Sequence, residues 1–304
     1  MKFAMLPETW ENTIAEVEKE GHEFVRELSD ADFLIFTGGP GDLPEIPDNL
    51  KWIQLPFAGV DAFSTAGALS DKVRWANASG TYGPTVAESS MGLLLAVLHQ
   101  HKTVTLAKTW DVRDEVAAGT DWLHANKTVA LVGAGGIAKE MIPMLKPFRT
   151  RIIAVNNSGR PVAGADETVP MEQADHVWGE ADYFIVLLPL TEQTHHFFNK
   201  DLFARMKKTA VVVNAGRGPL VNTDDLVAAL QDGEIAGAAL DVTDPEPLPD
   251  GHPLWDMNNA LITPHTANTP ERIEALTGAL TVENARAFEA GERMPHEVDV
   301  AAGY

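Results

Sequence analysis

Arg217, Glu246 and His265 are the residues whose types and placement could carry chemistry. Each stands just past an apolar, strand-like run. Arg217 follows 210–213 in Asn214-Ala215-Gly216-Arg217-Gly218, Glu246 lies in the turn after 236–240, and His265 follows 260–263. If those runs are parallel strands of one doubly wound sheet, their carboxyl ends face the ligand crevice, and three residues distant in sequence converge there. The three types suit delivery of a hydride to the carbonyl of a 2-oxo acid. The developing alkoxide needs a proton donor, and histidine titrates near neutrality. A carboxylate beside the imidazole favours its charged form. The planar fork of arginine can hold the substrate carboxylate and polarise the carbonyl. Taken singly, each has an ordinary explanation as a helix-end charge, a turn acid or a capped strand end. Their joint placement is the argument.

Such chemistry needs a hydride carrier, and the chain contains a loop suited to one. Val129-Ala130-Leu131-Val132 runs into Gly133-Ala134-Gly135-Gly136-Ile137-Ala138, a G-x-G-x-x-A pattern between a buried strand and a helix. Gly133 permits a tight turn, Gly135 lets the backbone approach a pyrophosphate, and Ala138 lets helix and strand lie close. The N–H groups at the helix start, at Gly136 and Ile137, then hold the phosphate. The next strand, Arg151–Val155, should end in an acid if NAD is preferred. It ends in Asn156-Asn157-Ser158-Gly159-Arg160. Asn156, Asn157, Ser158 and Arg160 are donors suited to a 2′-phosphate, so NADP(H) is expected in preference to NAD(H).

The elements that must position these residues follow an alternating strand–helix pattern, which predicts an α/β fold with parallel sheets. Strands are expected at 31–36, 52–55 and 73–77 in the first hundred residues, with a helix over 9–20 capped by Thr9. A long helix is expected from near Pro84 through Val104, apolar nearly all round and buried between two domains or two subunits. Six further strands, at 128–132, 151–155, 183–188, 210–213, 236–240 and 260–263, make a complete dinucleotide fold. A final helix from about Pro270, ahead of a short tail at Gly303-Tyr304, returns to the N-terminal part. The expected division is residues 1–99 plus 269–304 as a discontinuous substrate domain and 100–268 as the dinucleotide domain.

Length and composition agree. The chain has 304 residues, enough for two domains, with 45% hydrophobic and 22% charged residues. Its 44 acidic against 23 basic residues give a net charge of -21. No basic cluster offers itself to nucleic acid, and an anionic membrane surface would repel the chain. The acidity reads as a well-solvated surface. With no cysteine, disulfides, thiolate zinc sites, iron–sulfur clusters and cysteine nucleophiles are excluded. Pro7 and Glu8 interrupt the first apolar stretch, and no apolar run reaches the roughly 20 residues of a membrane span, so a cytoplasmic protein is expected. His99 and His101 lie two apart on a helix, and His195 and His196 are adjacent; both pairs should diverge, and no metal site is expected. The seven Trp are scattered packing residues, with Trp255, after the Glu246 turn, a candidate pocket wall.

The combination resembles the D-isomer-specific 2-hydroxyacid dehydrogenases over nearly the whole chain. The pieces that carry the resemblance are the loop 133–138, LLPLTEQT at Leu187–Thr194, VVNAGRG at Val212–Gly218, ALDVTDPEPLP at Ala239–Pro249, TPH at Thr263–His265 and PTVAE at Pro84–Glu88. The resemblance implies two Rossmann-like domains of doubly wound parallel sheets with the active site in the cleft between them. It implies the Arg217, Glu246 and His265 set, and a backbone cradle for the substrate carboxylate at Phe57, Ala58, Gly59 and Val60. It adds cofactor contacts at Leu188, Pro189, Thr194, Ala215, Gly216 and Asp241, and a homodimer. The short length is similar to the glyoxylate/hydroxypyruvate reductase branch. Two features depart from the family pattern. Asn268 stands where many relatives carry a Gly- or Ser-containing stretch, which puts a different contact to nicotinamide or substrate there, and Asn157 replaces an arginine common among NADP users. Two functions are then in competition: NAD(P)H-dependent reduction of a small 2-oxo acid, and a nucleotide-sensing, corepressor-like binding protein that keeps the fold. The complete polar triad favours the first.

Overall fold

The computed structural model describes residues 1–124 and 126–301; the tail expected at Gly303-Tyr304 lies outside the described residues. The chain divides into two compact units, Met1–Tyr82 with the chain from Asn268 onward, and Gly83–Ala267.

The first unit is built from β1 (Lys2–Leu6), α1 (Glu11–Lys19), β2 (Glu23–Phe24), β3 (Phe33–Phe36), β4 (Trp52–Gln54), α2 (Asp61–Thr65) and β5 (Arg74–Ala76). Its five strands are all parallel, in the order β2-β1-β3-β4-β5. This is a doubly wound arrangement whose direction of winding reverses beside β1. Phe3, Phe33 and Trp52 stack across three neighbouring strands, with centroids 5.4 and 4.5 Å apart, and give one face of the sheet an aromatic core.

The second unit runs α3 (Gly83–Leu98), α4 (His101–Ala107), α5 (Arg113–Gly119), β6 (Thr128–Val132), α6 (Gly136–Leu145), β7 (Arg151–Asn156), β8 (Glu167–Pro170), α7 (Asp175–Glu180), β9 (Tyr183–Val186), α8 (Lys200–Phe203), β10 (Val211–Asn214), α9 (Thr223–Gln231), β11 (Gly237–Leu240), α10 (Pro253–Asp256) and β12 (Ala260–Ile262). The seven parallel strands lie in the order β12-β11-β10-β9-β6-β7-β8. The central strands β9, β10 and β11 are buried at every position, as unbroken apolar runs are when helices cover both faces. The winding reverses between β6 and β9, so the loops leaving those strands diverge and open a crevice at their carboxyl ends.

The last helix, α11 (Pro270–Glu289), belongs to the first unit and packs on α1. Gly278 makes the approach possible, since a Cβ there would stand 2.9 Å from the Cβ of Glu16. Asn284 on α11 donates from Nδ2 to Oε1 of Gln54 at 2.8 Å, and both side chains are fully buried. No helix among the described residues is long and apolar enough to cross a membrane.

Several details differ from expectation. The boundary expected after residue 99 falls after Tyr82. The apolar side chains Ala87, Met91, Leu94 and Leu98 of α3 share one core with β6, β9 and α6, which ties the helix to the second unit. The helix expected to run through Val104 breaks because Gln100 is left-handed (φ 52°). Its side chain donates to the Val116 carbonyl at 2.9 Å, in space left by Gly119. Thr9 does not cap α1; Trp10 occupies that position and makes no side-chain cap bond. The strands β1, β2 and β8 are additional to those expected.

Candidate active site

The loop after β6 has the features a pyrophosphate requires. Gly133 sits at φ +101°, and a Cβ there would stand 2.5 Å from the Leu187 carbonyl carbon. Gly133 is therefore set by conformation and by the close passage of the β9 loop. Gly135 is different: a Cβ would meet nothing within 4 Å. That open space lies directly before α6, whose start no side chain caps. Uncapped N–H groups beside an open surface fit an anion. Ala138 is fully buried against the sheet.

At the tip of β7, Asn156 donates from Nδ2 to the Arg160 carbonyl at 2.9 Å and closes the 156–160 loop. The Arg160 Nε leans on Ser158 Oγ at 3.1 Å. The Oδ1 of Asn156 is buried and has no partner. An orphan acceptor at this strand end fits a ribose hydroxyl, and the exposed Asn157, Ser158 and Arg160 surround it with donors.

His265 and Glu246 are brought together. The Nδ1 of His265 lies 2.7 Å from Glu246 Oε1, with both side chains about half exposed. His265 is left-handed (φ 52°), a conformation that is held at a cost of about 1–3 kcal/mol in a non-glycine residue. Asp241 supplies the restraint. Its carbonyl accepts from His265 N at 2.8 Å, while its buried carboxylate accepts from Thr263 Oγ1 (2.6 Å), Thr266 N (2.9 Å) and Ala267 N (3.1 Å). The carboxylate of Asp241, a residue expected among the cofactor contacts, thus shapes the histidine loop.

The Arg217 turn is shaped in the same way. Buried Asn214 donates from Nδ2 to the Arg217 carbonyl at 2.9 Å, and its Oδ1 accepts from Gly216 N at 3.1 Å. A Cβ on Gly218 would overlap the Thr243 carbonyl oxygen at 1.8 Å. The arginine turn therefore abuts the turn that carries Glu246. Gly216 packs against the Leu188 carbonyl, and Thr194 Oγ1 donates to the Pro189 carbonyl at 2.7 Å. Leu188, Pro189, Thr194, Ala215 and Gly216 thus line the adjoining ends of β9 and β10.

In the first unit, the loop Phe57-Ala58-Gly59-Val60 follows β4. Three successive carbonyls are tied inward: Tyr82 donates its hydroxyl to Pro56 O, Ala78 N reaches Phe57 O at 2.8 Å, and Asn77 Nδ2 reaches Ala58 O at 2.8 Å. Burial pushes the Tyr82 hydroxyl up to about 12, which keeps it a donor. With its carbonyls turned inward, the loop has N–H groups left to offer an anion. Asn268 opens the returning segment of this unit. The supporting residues Asn77, Tyr82 and Asn214 escaped sequence reasoning. Only the polar character of Asn77 and Asn214 at apolar strand ends signals them.

The histidine pairs do not diverge. The rings of His195 and His196 lie tilted against each other with centroids 3.9 Å apart, and those of His99 and His101 lie 5.8 Å apart. A left-handed residue turns the chain in each case, His196 itself (φ 51°) and the intervening Gln100. The Nε1 of Trp255 donates to the Pro249 carbonyl at 3.1 Å, pinning the ring to the loop beyond Glu246.

A model of the NAD-binding domain of D-isomer-specific 2-hydroxyacid dehydrogenases matches residues 91–267. The chain belongs to this family. It is an NAD(P)-dependent oxidoreductase of 2-hydroxy acids. This dehydrogenase is 59% identical, over 304 residues and all of both chains, to a Corynebacterium melassecola protein described as an uncharacterized protein in the proB 3′ region. The human glyoxylate reductase/hydroxypyruvate reductase is 33% identical over 261 residues, which span 82% of this dehydrogenase and 77% of the human chain. Among solved structures, the NADPH-dependent glyoxylate/hydroxypyruvate reductase of Sinorhizobium meliloti, in complex with NADP and sulfate, is similar with a TM-score of 0.77. It is 27% identical, and the match covers 100% of this chain and 99% of that one.

Proposed function

We propose that this dehydrogenase reduces a short 2-oxo acid of the glyoxylate or hydroxypyruvate kind to its D-2-hydroxy acid, with NADP(H) preferred over NAD(H). The observation that carries the reading is the His265–Glu246 pair at 2.7 Å, on turns that follow β11 and β12. With Nδ1 committed to Glu246, Nε2 is the ring nitrogen left to give a proton to the carbonyl oxygen. Glu246 holds the ring and offsets the positive charge of its protonated form. Arg217 is assigned to the substrate carboxylate and carbonyl, and the N–H groups of 58–60 to binding of a carboxylate. A nicotinamide cofactor, when bound, would supply the hydride. Gly133, Gly135, Gly136 and Ile137 would hold its pyrophosphate, Asn156 a ribose hydroxyl, and Ser158 and Arg160 the 2′-phosphate.

The reading includes a homodimer. Val104 and Leu106 on α4, Trp110 in the link to α5 and Trp122 just after α5 are 44, 63, 85 and 62% exposed, four of the large apolar side chains on the surface of the described residues. A second copy of the chain would cover them.

The test is a turnover assay with NADPH or NADH against a panel of 2-oxo acids, following loss of reduced cofactor by absorbance. Turnover with a two- or three-carbon 2-oxo acid, faster with NADPH, is expected. Tight cofactor binding without turnover of any panel member would overturn the catalytic assignment and favour a nucleotide-sensing protein.

A further inference from the structure

We propose that His195, His196 and Asp244 form a binding site for a borderline transition-metal ion, zinc being the best fit. One ligand atom from each of the three lies within 4.8 Å of the others. Two imidazoles and one carboxylate are a set suited to Zn²⁺, with water completing four-coordination.

The spacing of one ligand pair suits a shared ion. His196 Nε2 stands 3.4 Å from Asp244 Oδ2. A charge-assisted N–H···O bond is shorter, about 2.7–2.9 Å. Two ligands each about 2.0–2.1 Å from a tetrahedral metal stand roughly 3.4 Å apart, which is the separation seen.

The ligands are also held in place. The left-handed backbone of His196 folds its ring against that of His195, and His196 N donates to the Pro219 carbonyl at 2.7 Å. The carbonyl of Asp244 accepts from Thr223 Oγ1 at 2.6 Å. The site joins the loop after β9 to the turn that carries Glu246, two residues beyond Asp244. The proposal is independent of the substrate and cofactor assigned above.

Asn222 makes the proposal testable against a purely structural role. Its Oδ1 accepts from Asp225 N at 3.0 Å as the cap of α9, so its Nδ2 is the atom that faces His196 Nδ1, at 3.3 Å. That contact makes Nδ1 an acceptor and leaves the ring proton on Nε2, toward Asp244. A metal on Nε2 requires the opposite tautomer, with Nδ1–H donating. Metal-bound histidines ordinarily give that proton to an acceptor such as a carboxylate. Asn222→Asp supplies the acceptor and keeps a good helix cap.

Zn²⁺ titration of chelator-treated protein by calorimetry, with Co²⁺ absorption as a geometry probe, tests the site. One ion per chain and tetrahedral Co²⁺ bands are expected. His196→Ala and Asp244→Asn should each weaken that site by at least about tenfold, and Asn222→Asp should tighten it by roughly tenfold. Circular dichroism checks that the variants fold, and His195→Ala, at an exposed residue, serves if His196→Ala does not. Four results would each overturn the proposal: no saturable binding, octahedral Co²⁺ spectra, a ligand variant that binds like the parent, or an Asn222→Asp variant with unchanged or weaker affinity. The last two would describe diffuse attraction of cations to a chain of charge -21.

Discussion

Asp241 holds the His265 turn from two sides: its carbonyl receives the His265 N–H, and its carboxylate receives the N–H groups of Thr266 and Ala267 just beyond it. The histidine's left-handed turn thereby presents Nδ1 to Glu246. His265→Gln should lower kcat/KM by roughly 10²–10⁴, the usual contribution of a general acid, with cofactor affinity nearly unchanged. Glu246→Gln, which keeps the shape and loses the charge, should cost less. Steady-state kinetics paired with a cofactor fluorescence titration checks both. Equal losses of cofactor binding and turnover would place the pair at the cofactor rather than at the proton.

Gly133 and Gly135 separate a folding requirement from a binding requirement. Gly133→Ala forces a side chain onto the Leu187–Leu188 backbone at φ +101° and should destabilise the apo protein. Gly135→Ala enters open space and should leave the apo melting temperature within about 1–2 °C, since the change is worth only a few tenths of a kcal/mol. It should nevertheless remove most of the NADPH-dependent rise in melting temperature, because the methyl group would occupy the phosphate's approach. Thermal melts with and without NADPH decide it.

The ammonium of Lys102 donates to the carbonyls of Trp255 (2.7 Å), Met257 (2.6 Å) and Ala260 (2.9 Å). Burial lowers its pKa, and the carbonyls make up the hydration it has lost. Lys102→Met would leave these acceptors facing an apolar chain, at an expected cost of about 2–3 kcal/mol. For a unit of this size that is a drop in melting temperature of roughly 5–10 °C. A drop under 2 °C would show the carbonyls are satisfied by water.

Glu297 is clamped by Arg74, with Nε at 2.9 Å from Oε1 and Nη2 at 2.5 Å from Oε2, and this hydrogen bonding holds the carboxyl below its usual range. A carboxylate with a depressed folded pKa contributes stability that is present above its unfolded pKa and lost as pH falls through the folded value. Glu297→Gln should therefore cost stability at pH 7, about 1 kcal/mol given the partial exposure of the pair. The gap from the parent should close as the pH falls below the ordinary carboxylate range. Urea unfolding at both ends of that range tests the sign.

Trp110 and Leu106 carry the homodimer reading. Trp110→Glu with Leu106→Glu should shift the protein from about twice its 32.9 kDa chain mass to the monomer, as read by light scattering. A parent that runs as a monomer would refute the assignment of that apolar surface.

The glycine loop, the strand-end polar residues and the alternation of strands and helices were legible because their causes are local. A buried parallel strand must be an apolar run, and a phosphate turn must have small residues. The short strands β1 and β2 were not legible. Lys2–Leu6 is too brief to separate from any apolar stretch, and Glu23–Phe24 forms only because β1 offers it an edge. The end of α3 was hidden for a related reason, since Gln100 is an ordinary helix former that turns left-handed to reach the Val116 carbonyl.

By itself, the amino-acid sequence determined the fold class, the cofactor loop, and that Arg217, Glu246 and His265 follow neighbouring strands. Those properties follow from periodicity, glycine conformation and strand direction. Tertiary structure alone decided that Glu246 meets His265 at 2.7 Å and that Asp241 shapes the loop between. It also decided that His195 and His196 face the same way. The first two contacts join turns 19 and 25 residues apart, and a left-handed histidine, His265 or His196, reverses the direction that residue spacing would give. No local rule predicts that reversal, because hydrogen bonds from distant backbone hold it.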